Sequence, residues 1–342
     1  MWWTSDEPRL LFAPLADFTD APMRRVTADF GAQWCHTEMV NARALADGVP
    51  ASHRLLVTLP GGESVPCAAQ LYGNVPDDFA RAAERIEVLG DFAAIDINIG
   101  CPMPRIRACG AGSTLMEHPV AVRRLVEAVR SHCALPVTVK TRLGPAPGRL
   151  SAPDILRAAA DGGASACTIH ARYTTQMLSG PLDIPALASV VDLGILPIAA
   201  NGGIRSGADA LALLKGSGAC AVMVAWSAIG NPWMVRAVAE SLRKGEPVER
   251  VAPEASEIKA LVRAHMGLAR LYHTRQRELY PDANDTISVD EAVVLDFRTR
   301  FFRYFKGLPG SNRFRANLSL YKTSTEILES VDAAFADEIK MA

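Results

Sequence analysis

Neither charge sign is in excess in this chain of 342 residues: 36 Lys and Arg stand against 37 Asp and Glu, a formal net charge of −1. A polyanionic partner would therefore have to be held by a local basic patch, because the whole-molecule field attracts nothing. Cysteines are few and scattered, at 35, 67, 101, 109, 133, 167 and 220, and no two form a CxxC pair. That excludes the usual zinc spacing and a disulfide framework, and it fits a reducing cytoplasm. A two-His-one-carboxylate pattern is also missing, so a metal centre is not expected. The first residues, MWWTSDEPRLLF, lack the basic and long apolar regions of a signal peptide. One stretch, 216–235, carries no charge over twenty residues. Gly216, Gly218, Gly230 and Pro232 interrupt it, which predicts a strand, a loop and a helix start rather than a membrane span. No G-x-G-x-x-G opens the first turn, so a dinucleotide-binding open sheet is not favoured.

What is present is a repeat of short apolar runs: 10–15, 34–40, 67–73, 92–100, 137–144, 166–172, 197–203 and 221–226. Between them lie helical patterns such as PVAVRRLVEAVRSH at 119–132 and GADALALLKG at 207–216. Eight strand–helix alternations in about 230 residues predict a (β/α)8 TIM barrel. The pattern stops near residue 240. Residues 243–255 read as a charged, proline-containing linker, and 256–342 as a separate all-helical domain, leaving 1–242 as the barrel. From Phe297 to Thr325 no acid occurs, while Arg298, Arg300, Arg303, Lys306, Arg313, Arg315 and Lys322 are interleaved with Phe301, Phe302, Tyr304, Phe305 and Tyr321. Basic residues mixed with aromatics suggest a nucleic-acid surface. The alternative is an amphipathic helix with core aromatics and solvated arginines.

Barrels carry their chemistry at the carboxyl ends of the strands. There this sequence sets Gln70, then Asn98 and Cys101, then Lys140 and Arg142, then His170 and Arg172, then Asn201-Gly202-Gly203. Any one of these could be a packed or solvated residue. Together on one rim they are harder to explain by packing. The stretch DINIGCPMPRIRACGAG at 96–112 puts Cys101 just past a buried strand, where it could be a ligand, a nucleophile, an acid or a small packed residue. Glycine loops after the seventh and eighth strands suit a phosphate, and a lysine on the fifth suits a redox ring that gains negative charge. A phosphate and a redox ring together suggest FMN.

The motifs LFAPLADFTDAPMR (11–24), TEMV (37–40), QLYG (70–73), INIGCPMPRIRACGAGSTLM (97–116), VKTRLG (139–144), TIHARY (168–173), ANGGI (200–204) and GNPW (230–233) occur in order. This pattern resembles the dihydrouridine synthases, and FFRYFKGLPGSNRFR (301–315) resembles the helical domain of their bacterial B-type branch. The resemblance implies reduction of specific uridines in tRNA, with FMN as cofactor and NADPH as reductant. It assigns Pro14, Leu15, Ala16, Gln70, Lys140, His170, Asn201, Gly202 and Gly203 to FMN, together with the loop at Ala225 and Trp226. Asn98, Arg105, Arg142 and Arg172 would handle the uridine, with Cys101 as the proton donor. Arg105 stands where the family usually has Lys, Ala225-Trp226 where it has Gly-Arg, Leu15 for Met and Asp17 for Gly. Losing that family arginine leaves the cofactor phosphate to backbone N–H groups or to another cation. Two rivals are a flavin reductase of a small pyrimidine or enone, and an RNA-binding protein without activity. Ribosomal RNA is an alternative substrate. A monomer is expected, since no exposed apolar stripe stands out.

Overall fold

The structure, a computed structural model, describes residues 1–281, 286–299, 301–305, 317 and 319–334. Eight strands form in chain order: β1 (Arg9–Phe12), β2 (Cys35–Asn41), β3 (Cys67–Tyr72), β4 (Ala94–Asn98), β5 (Val137–Arg142), β6 (Ala166–His170), β7 (Ile198–Asn201) and β8 (Ala221–Val224). They make one parallel sheet in the order β1-β8-β7-β6-β5-β4-β3-β2. Its two ends meet through a parallel bridge between Leu11 and Trp34, where Phe12 N–H donates to Trp34 O at 2.8 Å. The sheet is thereby curled into a TIM-type barrel, as the eightfold alternation predicts. Most strands stop short of the apolar runs read from the sequence. The residues beyond their ends, such as Gly202-Gly203 and Ala225-Trp226, leave the ladder to form the rim loops.

The helices bury one stripe each against the outer face of the sheet. Pro119–His132 buries Val122, Leu125, Val126 and Val129, the three- and four-residue spacing of an amphipathic helix. Gly207–Ser217 begins where Ser206 Oγ accepts the N–H of Asp209, and ends at Gly218 in the left-handed region (φ 70°). The barrel interior is narrow at its floor. Ala68, Ala94, Ala166, Ala199 and Ala221 point inward, and Trp2, Trp34, Leu11 and Met223 fill the remaining space. Small residues on the strands leave room for two indoles.

The uncharged stretch 216–235 resolves into the end of one helix, β8, a turn at Trp226–Ala228 and the start of the helix Pro232–Lys244. Among the described residues no helix is long and apolar enough to cross a membrane. Pro232–Lys244 ends at Gly245 (φ 73°), and Glu254 with Glu257 forms a capping box that starts Ala255–Leu279. The non-helical connection is therefore 245–254, slightly shorter than the predicted 243–255. Ala255–Leu279, Val289–Thr299, the turn Phe301–Phe305 and Ser324–Ala334 share a second apolar core, including Ile258, Val262, Val293, Phe297 and Ile327. Trp233, from the last barrel helix, enters this core and meets Tyr304 edge-on at 6.3 Å. On the other side Tyr272 Oη donates to Arg54 O at 3.1 Å. Tyr304 and Phe305 are buried, so these two aromatics of the basic run are core residues rather than a surface.

Candidate active site

The strand register determines which side chains meet. Gln70 stands beside Asp96, Asn98 beside Lys140, Arg142 beside His170, and His170 beside Asn201. With side chains alternating along each strand, Asp96 and Asn98 share one face, as do Thr138 and Lys140. At the carboxyl ends these faces open into a cavity of about 540 Å³, within the range that takes a cofactor or substrate.

Most of the expected residues line it. Pro14, Leu15 and Ala16 form one wall after β1. Asn98, Cys101, Lys140 and Arg142 come from β4 and β5 and their loops. His170, Arg172, Asn201, Gly202 and Gly203 follow, with Ala225 and Trp226 after β8. Gln70 does not line the cavity, being fully buried. Its Nε2 donates to Asp96 Oδ2 at 2.6 Å, and its Oε1 accepts from Asn98 Nδ2 at 2.9 Å. Arg105 is exposed on the short helix Pro104–Ala108, outside the lining. Arg303 lies over the ring of Phe18, 5.7 Å from its centre, and Arg298 donates to the carbonyls of Ser319 and Tyr321. Arg300, Lys306, Arg313 and Arg315 lie outside the described residues.

Cys101 is held by its neighbours. Asn98 Oδ1 accepts the N–H groups of Gly100 (3.2 Å) and Cys101 (3.0 Å). Behind Asn98 stand Gln70, Asp96 and Thr138, whose hydroxyl donates to Asp96 Oδ1 at 2.6 Å. Gly112 (φ 58°) packs so closely that a Cβ there would lie 2.7 Å from Cys101 O. Burial pushes the Cys101 thiol up, against the opposing pull of the Met103 N–H, Arg142 and Lys140. It therefore stays a thiol at neutral pH.

The cavity is cationic. Lys140, Arg142, Arg172 and Arg205 line it, and among the described residues no Asp or Glu does. Burial, then Arg142, draws Lys140 down to about 8. Burial also lowers Arg142 to about 10. Burial and the cations Arg142, Lys140 and Arg172 hold His170 well below its usual range, so its ring is neutral. Arg172 Nη1 lies 3.1 Å from His170 Nε2, which makes Nε2 the acceptor. Lys140 Nζ donates to Asn201 Oδ1 at 3.3 Å. Such a site suits an anionic or electron-rich ligand.

An apolar collar at the mouth has no counterpart among the sequence expectations: Met103, Met177 and Leu178 join Trp226 there, and all are substantially exposed. Apolar residues in loops carry no sequence signal of their own. Met177 sits at φ 53°, a costly conformation for a residue other than glycine. Asp17, where the family usually has Gly, sits at φ 67°, which aspartate tolerates better than most, and its N–H donates to Glu38. Trp226 meets Phe18 edge-on at 4.8 Å, leaving much of its surface exposed at the mouth.

Comparison with known proteins agrees with this geometry. The probable tRNA-dihydrouridine synthase of Rickettsia prowazekii is 30% identical over 94% of this chain and 93% of its own length. That of Rhodobacter capsulatus is 36% identical over 76% and 79%, and tRNA-dihydrouridine synthase B of Escherichia coli is 30% identical over 96% of both. Among solved structures, the DHODH of Eimeria tenella in complex with ferulenol shares the fold. It has a TM-score of 0.50 and 16% identity, over 70% of this chain and 82% of that one. The sequence model of the dihydrouridine synthases (Dus) matches residues 11–340, from the first strand through the helical region, and the chain belongs to that family.

Proposed function

We propose that this protein reduces the 5,6 double bond of specific uridines in tRNA to dihydrouridine, with FMN in the barrel cavity and NADPH as reductant. The observation that carries the reading is a protonated thiol, Cys101, on the rim of a cavity lined, among the described residues, by four cations and no acid. The names of the relatives, tRNA-dihydrouridine synthases, support the substrate.

The residues present fit a flavin nucleotide. The Gly202 backbone packs against the cavity-lining His170 ring, where a Cβ would lie 2.7 Å away, so only glycine lets this loop and that ring line the cavity together. Pro14, Leu15, Ala16, Lys140, His170, Asn201, Gly202, Gly203, Ala225 and Trp226 would hold it. Gln70 would act one step away, by orienting Asn98. When bound, the reduced flavin supplies the hydride for C6 of the uracil. Lys140 offsets negative charge on the ring, and neutral His170 adds no competing proton there. The Cys101 thiol gives its proton to C5, and the thiolate regains a proton from water. Asn98, Arg142 and Arg172 would position the uracil from the rim, with Arg105 outside it meeting the flanking RNA. The uridine has to leave its stack to reach them, which costs a few kcal/mol and least in an unpaired loop.

The division of labour we propose assigns 1–242 to chemistry and 256–342 to RNA, joined by 243–255. Arg298, Arg300, Arg303, Lys306, Arg313 and Arg315 would contact phosphates. The test is site-mapped nucleoside mass spectrometry of RNA from cells with and without the gene. Loss of one dihydrouridine position in tRNA is expected. Unchanged tRNA overturns the assignment, and a missing ribosomal position instead would name the other RNA.

A further inference from the structure

We propose that Arg205 holds the phosphate of the flavin nucleotide, from the loop after β7 rather than from β8. This rests on the flavin reading above. Four cations line the cavity, and three of them are already engaged by the protein. Lys140 donates to Asn201. Arg142 donates through Nε to Gly100 O at 3.0 Å and through Nη1 to Tyr173 O at 3.1 Å. Arg172 donates to Gly180 O at 3.0 Å and faces His170. The guanidinium of Arg205 makes no hydrogen bond or ion pair among the described residues; only its backbone N–H is bound, by Asp209 Oδ2 at 2.9 Å. Some exposed arginines sit in ion pairs among the described residues, as Arg25 with Asp29 and Arg149 with Glu117 do, while Arg105, Arg107, Arg124 and Arg243 do not; Arg205 differs from those four in lining the cavity.

The loop that carries it is fixed. Ser227 Oγ donates to Ile204 O at 2.5 Å, which ties the Arg205 loop to the turn after β8. Gly202 (φ 122°) and Gly203 (φ 69°), just before Ile204 in the same loop, pack against His170 and Leu182, which sets the path of the loop along the cavity. The β8 loop itself offers Ala225 and Trp226, with no charge. Burial, and after it the nearby Arg205, push the Arg172 guanidinium down. Two guanidinium groups facing one cavity without an acid between them leave an unneutralised positive potential. A dianionic phosphate monoester answers it, and a guanidinium can bind one through two N–H groups at once.

FMN and riboflavin differ by that phosphate alone, so they separate the possibilities. Each is titrated by flavin fluorescence into the full-length protein after flavin removal. Arg205→Ala, at an exposed side chain with no protein bond, is expected to weaken FMN roughly ten- to a hundred-fold and to leave riboflavin unchanged. Arg205→Lys should recover part of the loss. An R205A protein that binds FMN like the wild type overturns the proposal. So does one that keeps FMN but binds tRNA more weakly, because Arg205 would then serve an RNA phosphodiester. Wild-type protein that binds neither FMN nor riboflavin would instead remove the flavin reading itself.

Discussion

Two side chains carry most of the proposed chemistry, and each has a measurable signature. Cys101 is partly buried on a loop pinned by Asn98, and its thiol stays protonated at neutral pH. Cys101→Ala should keep FMN and the slow oxidation of NADPH by oxygen. It should lower dihydrouridine formation by about 10²- to 10⁴-fold in single turnovers, the usual worth of a general acid. Near-normal dihydrouridine from the alanine variant would remove Cys101 from the mechanism. Lys140 gives a pH signature. Its native value near 8 lies below the 10.5 of an unperturbed lysine, so between those values the unfolded chain binds more protons than the native one. Flavin-free protein should gain stability as pH rises through that window, by up to about 3 kcal/mol from this group. Lys140→Met lacks the group, so denaturant unfolding at pH 8 and pH 10 should show a smaller rise in the variant. Equal slopes would mean that Lys140 is not strained in its charged form.

The elements matter through one shared feature, a row of polar groups running from β5 through β4 to β3 inside the barrel. Thr138, Asp96, Gln70 and Asn98 bond in sequence and end at the Gly100 and Cys101 N–H groups. Asp96 is almost fully buried, so its carboxylate depends on the two donors it has. Gln70→Leu keeps the bulk but removes one of those donors and the acceptor for Asn98. The variant should lose about 1–3 kcal/mol of stability, read from the denaturant midpoint. It should also lose activity with normal NADPH oxidation, because the Cys101 loop loosens while the cofactor walls remain. A variant with both properties intact would mean that the loop is held by its glycines and prolines alone. This role was only half legible in the sequence. Gln70 stood out as a polar residue ending a strand, but its neighbours across the sheet depend on register, which a single strand does not reveal.

For the molecule as a whole, the near-zero net charge leaves the proposed RNA binding to local features. The cavity mouth offers a cationic floor and an apolar collar, and the helical part offers an acid-free run from Phe297 to Thr325. Replacing Arg300, Lys306, Arg313 and Arg315 with Gln should weaken tRNA binding. The slope of log K against log salt should fall by up to about one unit for each RNA phosphate that is no longer neutralised. Bound FMN should not change. An unaltered salt slope would place the RNA elsewhere, on the barrel rim. The helical part is seated firmly for such a role. Trp233 links its core to the last barrel helix, and Tyr272 and Gln276 both donate to Arg54 O.

The alternation of apolar runs with helical periods was enough by itself to give the barrel, because strand and helix periods differ and a parallel strand needs a helix to return the chain. Polar residues at strand ends were likewise legible as rim residues. What the sequence left open was how they pair. Whether Tyr304 and Phe305 are surface or core was undecided until the helices packed and buried them. Gln70 became a support for Asn98 only through the β3–β4 register. Arg205 carried no motif, and its free guanidinium emerges only when the loops after β7 and β8 close on one cavity. Local pattern is written in neighbouring residues and so survives in the sequence. Which groups stay unpaired depends on contacts across the barrel, and only the tertiary structure brings those together.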